Sequence, residues 1–137
     1  MNCSEPEKIL ASLPRDYTVE MALQNHDVLY TPEGQSYNVD KLHQFMSNVD
    51  SGIPDCIIIT VFGIEPPATT AVLYYDGEKL VYSYDSSRIS QAYKVQTFYG
   101  TNIFSEIKKR SQFNITYYYL NIPGRVPFSI FRDILGI

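Results

Sequence analysis

Residues 56–62, Cys-Ile-Ile-Ile-Thr-Val-Phe, set the tightest limit on what this chain can fold into. In extended backbone successive side chains point to opposite faces, so Ile57, Ile59 and Val61 face one way and Cys56, Ile58 and Phe62 the other. A strand apolar on both faces must be covered on both, which places it inside a sheet rather than at its edge. Pro66 and Pro67 then end it, because neither can donate a ladder hydrogen bond.

What covers that strand is written before it. Residues 5–14 form a short amphipathic piece closed by Pro14. Thr18 can cap a helix of about two turns with Glu20 in its first turn, where the dipole favours an anion, followed by a short extended segment at 28–30. The clearest helix begins after Asn38, read as its cap. Leu42, Phe45, Met46 and Val49 form one apolar stripe, and Gly52 and Pro54 end it.

Residues 73–88, LYYDGEKLVYSYDSSR, read as a hairpin. A two-residue Asp76-Gly77 loop pairs Tyr75 with Glu78, Leu73 with Leu80, Ala71 with Tyr82 and Thr69 with Tyr84. Leu73, Ala71, Leu80, Tyr82 and Tyr84 then share the core face, opposite Val72, Tyr74, Lys79, Val81 and Ser83. Further on, 93–99 and 114–122 read as strands. Residues 101–112 read as a helix with Ile103, Phe104 and Ile107 inward, and 127–136 as a closing helix with Phe128, Phe131, Ile134 and Leu135 on one side. The class predicted is α+β: an antiparallel sheet of about four to five strands with helices packed on it.

The 137 residues fit a single domain, 1–137, in which about 1–15 form a mobile N-terminal tether. A net charge of -4 offers no footprint for nucleic acid, and Lys108, Lys109 and Arg110 read as a solvated face. No apolar run is long enough to span a bilayer. Tyrosine is abundant, 12 residues, and tryptophan absent; an amphipathic ring suits half-buried sheet faces and contact surfaces alike. Of the two cysteines, Cys56 reads as a small buried hydrophobe and Cys3 as part of the terminus, with a disulfide between them the less favoured alternative.

Catalytic signatures are missing. There is no phosphate loop and no nucleophile elbow, and His26 and His43 lack the spacing of a zinc helix. No metal, cofactor or catalytic residue is predicted. Glu65 and Asp85 are the two carboxylates in places a site could use, whereas Asp27 and Asp76 read as turn residues. In 84–88, Tyr-Asp-Ser-Ser-Arg, Asp85 can accept backbone N–H bonds and Arg88 can reach back to it or across to Glu65; the alternative is an exposed Arg fork for an anionic ligand.

In order and spacing, residues 17–98 resemble a family of small Gram-positive bacterial proteins catalogued as domain of unknown function 4362. The matching positions are Asn25 and Asp27; Asn38, Lys41, Leu42 and Phe45; Asp55; and Tyr75, Asp76, Gly77, Tyr84, Asp85, Ser87 and Arg88. This chain departs from the family pattern in having His26 where a glycine is usual, Ile89 for an acidic residue, and Phe98 and Tyr99 near a usual cysteine. The resemblance implies export and a lipid-anchored cysteine, for which Cys3, ahead of Ser-Glu-Pro-Glu, is the candidate, with a leader ahead of this sequence; the other location is cytoplasmic. It names no reaction.

The function expected is therefore a non-enzymatic binding or interaction domain, probing a protein, peptide or cell-envelope component through Glu65, Tyr84, Asp85, Ser87 and Arg88. Two alternatives stand beside it. One is a small hydrolase with a site built from Glu65, Asp85 and a histidine; the other is a cytoplasmic regulatory or phage-derived partner protein.

Overall fold

The computed structural model describes residues 3–64 and 67–136. Two sheets and three helices share it. A six-stranded sheet has the order β2-β1-β3-β4-β5-β6, and a three-stranded sheet the order β7-β8-β9. Their strands are β1 Val28–Tyr30, β2 Ser36–Tyr37, β3 Asp55–Val61, β4 Thr69–Tyr75, β5 Leu80–Asp85, β6 Gln96–Gly100, β7 Asn102–Arg110, β8 Phe113–Asn121 and β9 Phe128–Gly136. The helices are α1 Pro6–Ser12, α2 Val19–Gln24 and α3 Val39–Asp50. No helix among the described residues is long and apolar enough to cross a membrane.

The central strand is β3, between β1 and β4, and each of its faces is covered as the alternation requires. Ile57 and Ile59 enter the main core with Leu42, Phe45 and Val49 of α3 and with Ile103, Tyr118, Leu120, Ile130 and Phe131 of the smaller sheet. On the other face Ile58 packs with Leu10 of α1 and Val72, while Phe62 packs with Tyr17, Ala22, Leu29 and Ala68. Burial of each of the α3 anchors contributes about 1.5–3 kcal/mol. The sheet is mixed, since β1 runs parallel to β3 through the α3 crossover while the other pairings are antiparallel.

Several expectations need correction. Residues 101–112 and 127–136 are strands, not helices, so the fold is predominantly β and the sheets hold more strands than expected. Residues 5–14 are not a mobile tether: α1 lies on the sheet, with Leu10 buried against Ile58 and Val72. Asn38 starts α3 but does not cap it. It sits at φ 62°, and its Nδ2 donates instead to Asp27 O at 2.8 Å. Thr18, by contrast, does cap α2, accepting from Met21 N at 3.2 Å.

The hairpin keeps its predicted faces and changes its register. Asp76 Oδ1 accepts from Glu78 N at 2.8 Å and Lys79 N at 2.6 Å, which takes both groups out of the ladder, and Tyr75 pairs with Leu80. The shift is by two residues, so no side chain changes face. Ala71, Leu73, Leu80 and Tyr82 are all in the main core, with Tyr84 packed against it.

The chain passes between the sheets at Gly100 and Thr101. A Cβ on Gly100 would stand 2.5 Å from Leu120 Cδ1, a side chain buried in the core, and 3.1 Å from Asn121 O. Thr101 N donates to the same Asn121 O at 2.8 Å and fixes the corner. Phe128 then reaches from the smaller sheet onto Tyr82 and Phe98 of the larger, at ring-centroid distances of 5.9 Å and 5.2 Å.

Candidate functional site

The residues singled out in the sequence fall into two places. Five of them, Asn25, Asp27, Asn38, Lys41 and Arg88, join one buried polar network. Asp27, 1% exposed, accepts from Tyr17 OH at 2.7 Å and Thr60 Oγ1 at 2.8 Å through Oδ2, and from Asn25 Nδ2 at 2.8 Å through Oδ1. Thr60 Oγ1 lies 3.3 Å from Thr70 Oγ1, which accepts from Arg88 Nη1 at 2.9 Å. Lys41 Nζ donates to His26 O, closing the turn that carries Asp27. Asn25, Asp27, Asn38, Lys41 and Arg88, scattered in sequence, thus brace α2, β1, α3, β3 and β4 against one another.

Arg88 is spent inside this network. It also donates to Ala68 O and to Pro14 O, both at 3.2 Å, and its guanidinium lies 5.0 Å over the Tyr17 ring. Asp85 Oδ1 accepts from Ser87 N at 2.8 Å, the turn cap expected, while Ser87 O accepts from Arg15 Nη2 at 2.6 Å. No direct ion pair joins Arg88 to Asp85 among the described residues; the expected return contact is replaced by carbonyls and Thr70. Burial pulls the Arg88 guanidinium down while Asp85 and Tyr17 push it up. Arg88→Ala is therefore expected to cost about 2 kcal/mol of stability in urea denaturation, through three lost charge-assisted hydrogen bonds, and to leave ligand binding elsewhere unchanged.

Other candidates separate. Glu65 lies outside the described residues. His43 Nε2 is 2.6 Å from Tyr118 OH, a contact from α3 to the smaller sheet, whereas His26 sits at φ 60° in the α2–β1 turn and Asp85 is the last residue of β5, capping the turn that follows. Among the described residues no three His, Cys, Asp or Glu side chains gather closely enough to hold a metal ion. Cys3 is bonded to Cys56 and is 7% exposed, against the expectation of unpaired cysteines. A sulfur in that bond has no thiol to carry a lipid. The helix α1, packed on the same face of the sheet, brings the two together.

The second place is a cleft between the two sheets, about 430 Å³, which only Tyr84 of the predicted site enters. Its lining also includes Tyr82 of β5, Gln96 and Phe98 of β6, Arg125 of the β8–β9 turn, and Phe128 of β9. Tyr82 and Tyr84 stack with centroids 6.2 Å apart and planes 20° apart; Phe98 meets Phe128 edge-on at 5.2 Å. Burial pushes the Tyr82 phenol up, with Tyr84 adding to the shift, so Tyr82 stays a neutral donor at physiological pH.

The packed aromatic rings and a guanidinium left without a partner distinguish this cleft from its rivals. In the hollow beside Asp85, Ser87 and Arg88 the side chains of Arg15, Asp85 and Arg88 are already bonded to backbone, and that between α1 and β5 carries Glu5 and Lys8 paired at 2.9 Å. In the inter-sheet cleft the hydroxyls of Tyr82 and Tyr84 and the guanidinium of Arg125 have no hydrogen-bond or ion-pair partner among the described residues. Sequence reasoning missed Phe98, Arg125 and Phe128 because reading 127–136 as a helix hides the face they share. Comparison of the chain with family models, with curated proteins and with solved structures finds no match.

Proposed function

We propose that this chain is a non-enzymatic binding domain, displayed outside the cytoplasm, whose binding site is the aromatic cleft between its two sheets. The observation that carries the reading is the cleft itself: an apolar, ring-lined hollow of ligand size with a few polar groups that nothing among the described residues uses. The Cys3–Cys56 disulfide supports the location, because such bonds persist in oxidising compartments and are rare in reducing ones. The resemblance of residues 17–98 to an exported family points the same way. The partner is a protein, a peptide or an envelope component that inserts an apolar group between Tyr84, Phe98 and Phe128.

The test is a fragment titration of the isotopically labelled whole chain, followed by amide NMR. Binders should shift Thr69, Tyr82, Tyr84, Gln96, Phe98 and Arg125 and leave the Asp27 network still. Fragments that bind only elsewhere tell against the cleft. A hydrolytic activity abolished by replacing His26, His43 or Asp85 overturns the non-enzymatic reading in favour of the hydrolase.

A further inference from the structure

The inference concerns the chemistry of what the cleft accepts and rests on reading it as a binding site. Its lining residues include one ionised side chain, Arg125, and no carboxylate. Arg125 sits where the chain turns from β8 to β9, its backbone N bonded to Ile122 O at 3.1 Å and its side chain exposed and unpaired among the described residues. A cationic ligand would meet like charge and no counter-ion; a neutral apolar one would leave the guanidinium unused.

A second observation is independent of that charge. Tyr82 is 5% exposed, with its ring against Tyr84, Phe98 and Phe128, and its hydroxyl, which has no partner among the described residues, is not one of the buried unpaired polar atoms; what little of Tyr82 is accessible belongs to a residue of the cleft lining. Tyr82 lines the cleft, so that donor and the neighbouring Tyr84 hydroxyl are available to whatever fills it. The polar complement of the site is therefore built of donors, two neutral and one cationic, set on aromatic walls.

We infer that the cleft takes an amphipathic monoanion: a planar or branched apolar body carrying one carboxylate, the body against Tyr84, Phe98 and Phe128 and the carboxylate on Arg125. Arg suits this task, because its planar fork matches a carboxylate in two parallel hydrogen bonds. The volume suits a body of one or two fused rings or a single large side chain. The same chemistry is offered by a free small acid and by the C-terminus of a peptide ending in an aromatic residue.

Isosteres that differ only in charge test this. Calorimetric titration of the whole chain with 1-naphthylacetate and with the neutral 1-naphthylacetamide, mapped by amide NMR, should show the acid binding about tenfold tighter, or about 1.4 kcal/mol. Arg125→Ala should abolish that preference without changing the affinity for the amide, and Arg125→Lys should recover part of it. Equal affinities with shifts in the cleft, or an Arg125→Ala variant that keeps the preference, overturn the anion while the cleft stands. If neither compound shifts cleft residues, the cleft reading fails and this inference with it. Acetyl-Ala-Ala-Phe with a free or an amidated C-terminus separates the sources: the free acid binding more tightly than naphthylacetate supports a peptide C-terminus, and more weakly supports a small acid.

Discussion

Replacing Cys3 and Cys56 together by serine is expected to lower the unfolding free energy by about 4 kcal/mol, a large fraction of what holds a domain of this size. The bond closes a loop of sequence separation 53, and the magnitude follows from the freedom that closure removes from the unfolded chain. It also keeps α1 on the sheet, where Leu10 covers Ile58 and Val72. Urea melts of the oxidised chain, the chain under reductant and the double variant check it. The last two should agree, and a difference below about 1 kcal/mol from the oxidised chain would show that the bond adds nothing the packing does not already secure.

Asp27→Ala is expected to cost about 3 kcal/mol. Two effects oppose. Removing the carboxylate relieves the desolvation of a buried charge, but it strands the donors of Tyr17, Thr60 and Asn25, each worth about 1–3 kcal/mol when buried and unmet. Thr60 can turn to Thr70, 3.3 Å away, so the loss falls short of the full sum. Asp27→Asn keeps the shape and one acceptor and should cost less.

Acid should affect this site in the opposite sense from most carboxylates. Burial pushes the Asp27 carboxyl up, with the hydrogen bonds from Tyr17, Thr60 and Asn25 opposing. Its folded pKa is therefore above the unfolded one, and the folded state holds the proton more tightly. Stability from this group falls as pH rises from the ordinary carboxylate value to the raised one, and is regained on acidification through that window. The stability of the wild type relative to Asp27→Asn should thus be greater at about pH 4 than at about pH 7. A difference that is flat, or grows with pH, would mean that the hydrogen bonds outweigh burial.

Much of this architecture could be read from local pattern, and the failures have a common cause. The alternation of 56–62 and the stripe Leu42, Phe45 and Val49 each report burial directly. The hairpin survived a wrong register because a shift of two residues preserves face. In β9 the pattern itself misleads. Tyr119 pairs with Ser129 and Tyr118 with Phe131, so Ile130 is an extra residue, a bulge. Phe128 and Phe131 thereby both face the core three residues apart, a spacing that imitates a helix. In β7, Ile103 is buried but Ile107 is 69% exposed, so the apparent apolar stripe they form with Phe104 is not one buried face, and nine residues of pairing with β8 decide the matter. The Asp27 network was missed for another reason: a buried carboxylate and a turn carboxylate look alike until Thr60 and Tyr17 are brought to it.

The Cys3–Cys56 bond also sets the route of a mechanical load. Tension applied at the N-terminus enters the fold at Cys3 and crosses the disulfide into β3, the central strand, without passing along residues 4–55. The helices α1, α2 and α3, with β1 and β2, hang outside the loaded path. Force must then shear β3 from β1 and β4, strands held by parallel and antiparallel ladders on its two sides, before the chain lengthens. Reduction reroutes the same pull through α1, where only a short helix and the contacts of Leu10 resist it.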